Sequence, residues 1–178
     1  MAGHSHWAGI KHKKEITDKK KGATFSKLLA AVTAAAKRDP NPDFNPRLRT
    51  MVEKARAQNV PASNIERAIQ RASEAGGAIE ELLFEAYGPG GVALLIEATT
   101  DSKNRTVAEV KKLLTDFEGK WAEPGSVRWA FEEMPGGGWT SKFPLAIDTE
   151  VAAKLHSLVE ALEEHADVQA IYTNTSQF

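Results

Sequence analysis

The sequence predicts an α+β protein: an N-terminal three-helix bundle with a basic extended arm, followed by a ferredoxin-like β-α-β-β-α-β domain. Three observations lead there. Apolar residues recur at helical spacing through the first 75 residues, interrupted twice by proline-containing breaks. Beyond Gly76-Gly77, strand-like runs alternate with two further helical stripes. The charge also changes sign there. Residues 1–72 carry 15 Lys+Arg against 6 Asp+Glu, a net +9, and residues 73–178 carry 8 against 18, a net −10. The overall charge of −1 conceals this split.

Residues 3–22 have no apolar periodicity to bury, so they read as an extended arm. Phe25, Leu28, Leu29, Val32 and Ala36 then form the stripe of a first helix, which Asp39-Pro40-Asn41-Pro42 stops. Asn45-Pro46 supplies a cap residue and a proline at the first helical position. Leu48, Met51, Val52 and Ala55 follow as the second stripe, up to the break at Asn59-Val60-Pro61. Ser63-Asn64-Ile65-Glu66 fits a capping box ahead of Ile65, Ala68, Ile69 and Ala72. The first unit is therefore 1–75 and the second 76–178.

In the second unit the run from Leu83 to Ala98 gives the first strand signal, broken by Tyr87-Gly88-Pro89-Gly90-Gly91. Val107, Val110, Leu113, Leu114 and Phe117 return to helical spacing. Val127, Trp129 and Phe131 alternate as a half-buried strand would, and 139–147 is expected to pair with them across Gly136-Gly137-Gly138. Val151, Leu155, Leu158, Val159 and Leu162 make an amphipathic helix, and Val168 to Thr173 the last strand. This order suggests two helices on one face of an antiparallel sheet.

Composition narrows the function. With 42% hydrophobic residues the chain can bury a core. It has no apolar run near the roughly 18 residues of a membrane helix. Met1 to Lys14 lack the apolar core of a secretory signal, and Arg is absent before Arg38, unlike a mitochondrial presequence. There is no cysteine, hence no disulfide, thiolate metal site or cysteine nucleophile. The expectation is a cytoplasmic protein without membrane association.

The basic half carries the candidate chemistry. Lys11, Lys13, Lys14, Lys19, Lys20 and Lys21 are flexible cations suited to phosphate contacts and counterion release. His4, His6, Trp7 and His12 add planar groups able to stack on unpaired bases. Such an arm suits structured RNA better than a duplex groove alone; the bland reading is a solubilising tail. In the bundle, Arg47 and Arg49 lie outside the apolar stripe of the second helix. Arg67 and Arg71, with Gln70, fall on an outward face of the third, where they could read base edges or form a solvated face.

The acidic half offers less. The glycines of Tyr87 to Gly91 precede a strand and no Lys-Ser/Thr follows, so a turn is expected there in place of a phosphate cradle. Val127, Trp129 and Phe131 share the face the helices must cover, leaving Arg128, Ala130 and Glu132 outside without a stacking pair. This domain is expected to meet a protein partner or to keep itself off the nucleic acid. His156 and His165 lie near Glu160, Glu163 and Glu164 as a solvated face, and no nucleophile motif is present. No catalytic residue, cofactor, metal site or small-molecule substrate is expected.

The opening Ala2-Gly3-His4-Ser5-His6-Trp7-Ala8-Gly9-Ile10-Lys11-His12-Lys13-Lys14 closely resembles the start of the YebC/PmpR family. That family includes the mitochondrial translational activator of cytochrome c oxidase subunit I. Similar blocks follow in the family's order: Asn45 to Arg49, Asn64 to Ile69, Glu85 to Val92, Asn104-Arg105-Thr106, Gly125-Ser126-Val127 and Val168 to Asn174. The family usually has Lys where His6 stands and Asn where Gly9 stands. Its members usually carry a third domain inserted within the second, for which the loop 133–142 has no room. The resemblance implies a regulator of gene expression. One role is a ribosome-associated translation factor that binds ribosomal RNA and helps synthesis through proline-rich stretches. A second is a DNA-binding transcriptional regulator, and a third reading is a protein–protein adaptor.

Overall fold

The computed structural model describes residues 21–74, 79–135 and 137–175. Its elements are α1 (21–36), α2 (Pro46–Ala57), α3 (Ala62–Glu74), β1 (Glu80–Tyr87), β2 (Ala93–Thr100), α4 (Lys103–Asp116), β3 (Lys120–Ala122), β4 (Phe131–Glu133), β5 (Trp139–Ser141), α5 (Thr149–Glu164) and β6 (Val168–Thr173). The expected α+β class holds: helices first, then an antiparallel sheet with two helices on one face.

The three N-terminal stripes meet as read. Val32, Leu48, Val52, Ala55, Ile65 and Ala68 form one buried cluster, with Phe25, Leu28, Leu29, Met51, Ile69 and Ala72 packed on it. Asn45 caps α2 by accepting the Leu48 N–H at 3.1 Å, and Pro46 opens the helix. The same side chain donates to the carbonyls of Ala35 at 2.8 Å and Asp39 at 2.7 Å, tying the end of α1 to the start of α2. Asn59 takes a left-handed turn (φ 60°) and ends α2.

Two local expectations are corrected. Lys21 and Gly22 are already helical, so the extended arm cannot run to residue 22. Helix α3 starts at Ala62, not at a Ser63 cap. The Pro61 carbonyl accepts from Asn64 and Ile65, which draws Ser63 into the first turn.

The four-stranded sheet has the order β3-β1-β2-β6, with every pairing antiparallel. Strands β2 and β3 thus run parallel, joined by α4 across the intervening β1. The expected β-α-β-β-α-β order treated Leu83 to Ala98 as one strand position. It is a hairpin, and both its strands lie centrally. Phe84, Ala86, Leu94, Ile96 and Ala98 face the helices and pack on Val110, Leu114, Leu155, Leu158 and Leu162. The opposite face buries Ala93 and Leu95 against Ala122, Val127, Ala130 and Phe131. Coverage on both faces explains why 92–96 is uninterruptedly apolar.

The alternation of Val127, Trp129 and Phe131 misleads. Arg128–Ala130 form a single 3₁₀ turn, and only Phe131 enters a strand. Val127 and Phe131 bury on the face away from the helices, Ala130 is buried beside them, and Trp129 is exposed. The expected partner strand is confined to Trp139–Ser141, which pairs with β4 as a separate two-stranded sheet. Beyond it Pro144 has no N–H to extend a ladder. The turn at Gly88 to Gly91 joins β1 to β2 as expected.

The two units touch through side chains. Arg47 pairs with Glu81 at 2.6 Å, Lys37 Nζ donates to the Ile79 carbonyl at 2.5 Å, and Lys27 Nζ donates to the Glu163 carbonyl. Among the described residues, no helix is long and apolar enough to cross a membrane.

Candidate nucleic-acid interface

Of the expected contact residues, His4, His6, Trp7, Lys11, His12, Lys13, Lys14, Lys19 and Lys20 lie outside the described residues. Lys21 is exposed at the start of the described part of α1. The four arginines divide. Arg49 is spent on its own loop, donating from Nε to the Pro42 carbonyl at 3.2 Å and from Nη2 to that of Asp43 at 2.8 Å. Arg47 is held by Glu81 across the junction between the two units.

Arg67 and Arg71 are positioned differently. They stand one turn apart on α3, exposed, at the rim of a cleft of about 520 Å³ between α1 and α3. Leu29, Ala30, Ala68, Ala72 and Ile79 line it with apolar surface, and Ser26, Thr33 and Asn64 add polar groups. Lys37 supplies a third cation, and among the described residues no carboxylate lines the cleft. Thr33 is no free donor, because its hydroxyl bonds the Leu29 and Ala68 carbonyls at 3.0 and 3.1 Å. An apolar trough under three cations can take a flat ring inside while its phosphates meet the rim.

Sequence reasoning missed Lys37 and Asn64. Ser26, Ala30, Thr33 and Lys37 recur at spacings of four, three and four, one step round α1 from the core stripe. That pattern marks a second face of the helix, but only the packing of α3 beside it makes a cleft.

A second cleft, about 450 Å³, separates the bundle from the sheet. Its Arg47, Lys54 and Arg128 are met by Glu81, Glu97 and Glu133, so it presents no net charge to a polyanion. Glu97 accepts from Trp139 Nε1 at 3.1 Å and from Tyr172 Oη at 3.4 Å. Burial, and then the Glu97 charge, push the Tyr172 hydroxyl up to about 12.

Two anchors hold the sheet unit, one buried and one partly buried. Glu85, 6% exposed, accepts the N–H groups of Gly125, Val127 and Arg128 at 2.6, 2.7 and 2.9 Å. Burial would raise its pKa, but these three bonds and the nearby Arg128 charge outweigh it and hold the carboxyl below its ordinary value. Asp167 behaves likewise. Burial opposes its charge, yet Thr106 at 2.7 Å and Arg105 at 2.9 Å hold its pKa down. His165, expected on a solvated face, instead meets Glu109 across the α4–α5 interface at 2.8 Å, its side chain 10% exposed. Glu109, His165 and Asp167 bring ligand-type atoms within 4.8 Å of one another, but Arg105 already balances Asp167.

With this geometry in place, the matches to known proteins become interpretable. The model of the TACO1/YebC protein N-terminal domain matches residues 5–75. That of the TACO1/YebC second and third domain matches 79–135. The chain belongs to the TACO1/YebC family. The two matches meet across 76–78, where the helical bundle gives way to the sheet.

A TACO1/YebC relative from Acidobacterium capsulatum, a "probable transcriptional regulatory protein", is 50% identical over 135 residues. Those residues are 75% of this chain and 55% of the relative, so the chain spans about half the relative's length in that match. A protein of the same description from Dictyoglomus thermophilum is 49% identical over 182 residues, covering 100% of this chain and 73% of its own. One from Solibacter usitatus is 33% identical over 235 positions, covering 98% of this chain and 95% of its own. Since the present chain has 178 residues, many of those positions fall opposite gaps within it. Among solved structures, a conserved hypothetical protein of Aquifex aeolicus superposes with a TM-score of 0.82 at 33% identity, covering 97% of each chain.

Proposed function

We propose that this TACO1/YebC chain is a non-enzymatic regulator of gene expression that binds single-stranded or structured RNA through its basic N-terminal half. We place it on the ribosome, as a cytoplasmic translation factor assisting synthesis through difficult, proline-rich stretches. The observation that carries the reading is the cleft between α1 and α3. It is concave, apolar inside, rimmed by Lys37, Arg67 and Arg71, and among the described residues lined by no carboxylate. A duplex major groove takes a projecting helix, whereas a trough of this kind takes a base that has left its stack. The basic residues from Lys11 to Lys20 come before the described part of α1 in the sequence and add to the positive charge of the same half. The division into a nucleic-acid-binding unit, 1–75, and an acidic unit, 76–178, without a third domain at 133–142, belongs to this reading.

The relatives' description as probable transcriptional regulatory proteins supports a regulatory role and favours a second reading, duplex DNA binding. Co-sedimentation with ribosomes across a salt series, beside gel shifts on duplex DNA, separates the two. The translation reading expects ribosome association at salt that strips random DNA, and its loss on Arg67→Glu with Arg71→Glu. Salt-resistant binding to one DNA segment, with no ribosome association, would replace it by the transcriptional reading.

A further inference from the structure

Among the described residues of the sheet unit, two aromatic rings are more than half exposed. Trp129 is 62% exposed and Phe143 53% exposed, with ring centroids 5.5 Å apart at an interplanar angle of 48°. Neither is a loose side chain on a loose loop. The Trp129 indole N–H donates to the Ser126 carbonyl at 2.8 Å, and Glu85 gathers the N–H groups of the loop that carries Ser126. On the other side, Lys142 N–H donates to the Ala130 carbonyl at 2.8 Å, while the Phe143 carbonyl accepts from Asn174 Nδ2 at 3.2 Å. Two rings fixed in place and turned to water are what a binding anchor requires, since little side-chain freedom remains to be lost on contact.

Charge indicates the partner. The anchor belongs to the half of the chain with net charge −10. Exposed Glu123 precedes it in the chain, and exposed Glu132 follows on β4. Of the nearby cations, Arg128 lies over the Trp139 ring at 4.9 Å and Lys142 beside Phe143 at 6.0 Å. A nucleic-acid strand would bring phosphates towards a unit of net charge −10. A basic polypeptide would have its charges matched and its apolar side chains received. The anchor also stands at the base of the β4–β5 hairpin, within which the match to the family's second and third domains stops at residue 135.

We propose that Trp129 and Phe143 form a docking site for a positively charged protein segment with an apolar anchor residue. The test is titration of the full chain, with affinities read by calorimetry in parent and variants and the contact located through the parent's Trp129 indole N–H resonance. The probe is a lysine-rich peptide bearing leucine and tryptophan, compared with its glutamate-for-lysine counterpart and a single-stranded oligouridine. The proposal expects the basic peptide to shift that resonance, the acidic one to leave it in place, and Trp129→Ala or Phe143→Ser to weaken binding at least tenfold. Both variants should stay folded with at most a small loss of melting temperature, since both rings are more than half exposed and the backbone bonds of their loops remain. Peptide affinity unchanged in both variants would overturn the site. A resonance moved by oligouridine and not by the peptide would assign it to nucleic acid instead. Self-association of the parent chain that Trp129→Ala abolishes would make the occupant a second copy.

Discussion

Glu85 sits near the end of β1 with its carboxylate turned away from the two helices, and three backbone N–H groups converge on it. Replacing it with Gln puts an NH₂ where an acceptor is needed. Glu85→Gln should therefore destabilise the protein by about 2–3 kcal/mol, read as a lower melting temperature at neutral pH. The sign with pH follows from its lowered pKa. The contribution is complete above the ordinary carboxylate range and is lost as pH falls through the folded-state value. The gap between parent and variant should thus close in acid. Asn45→Ala removes a cap and the two tethers to the end of α1 and the loop after it, and should cost about 1–2 kcal/mol in thermal or urea unfolding. The two residues differ in legibility. Asn45 is readable because Pro46 follows it and the helix it caps is local. Glu85 is not, because its three partners lie 40 or more residues further along the chain.

Elements were legible where one period ran long enough. The stripes of α1, α2 and α3 supply the bundle core residue by residue, and those of α4 and α5 supply the helical side of the sheet core. The reading failed at 127–131, where a 3₁₀ turn buries Val127 together with Ala130, three residues on, and leaves Trp129 exposed. Three residues with period two cannot distinguish such a turn from a strand. The β1–β2 turn, by contrast, is constrained at Gly90. Its φ is 70°, and a Cβ there would lie 2.5 Å from Val151 Cγ1 on α5. Gly90→Ala should cost at least ~1 kcal/mol from the left-handed backbone, with the clash adding to it. Urea unfolding would measure the loss. At the α1–α3 cleft, Arg67→Glu with Arg71→Glu should weaken RNA binding and flatten its salt dependence. At roughly 0.7 per phosphate contact on a single strand, the logarithmic slope should fall by about 1.4. An unchanged slope would place the phosphates elsewhere.

Over the whole molecule, the two halves of opposite charge are coupled at few places, and one of these removes a cation from circulation. Arg47, expected to meet nucleic acid, is paired with Glu81. Glu81→Gln should release it and raise RNA affinity modestly at low salt, with the gain fading as the exposed charges are screened. The sign of the charge split was readable by counting. Where the positive surface becomes a cleft was not, because that depends on α1 and α3 lying side by side. The hairpin has a consequence of another kind. Glu133 and Trp139 are paired neighbours on β4 and β5, so a polypeptide leaving after one and returning before the other would begin and end at the same spot. Gly137 and Gly138, both at positive φ, make the closed turn, and the four-stranded sheet does not run through it. A folded insert whose own ends lie close together could be spliced in there without pulling the four-stranded sheet apart, which makes the hairpin a safe place to graft a reporter domain.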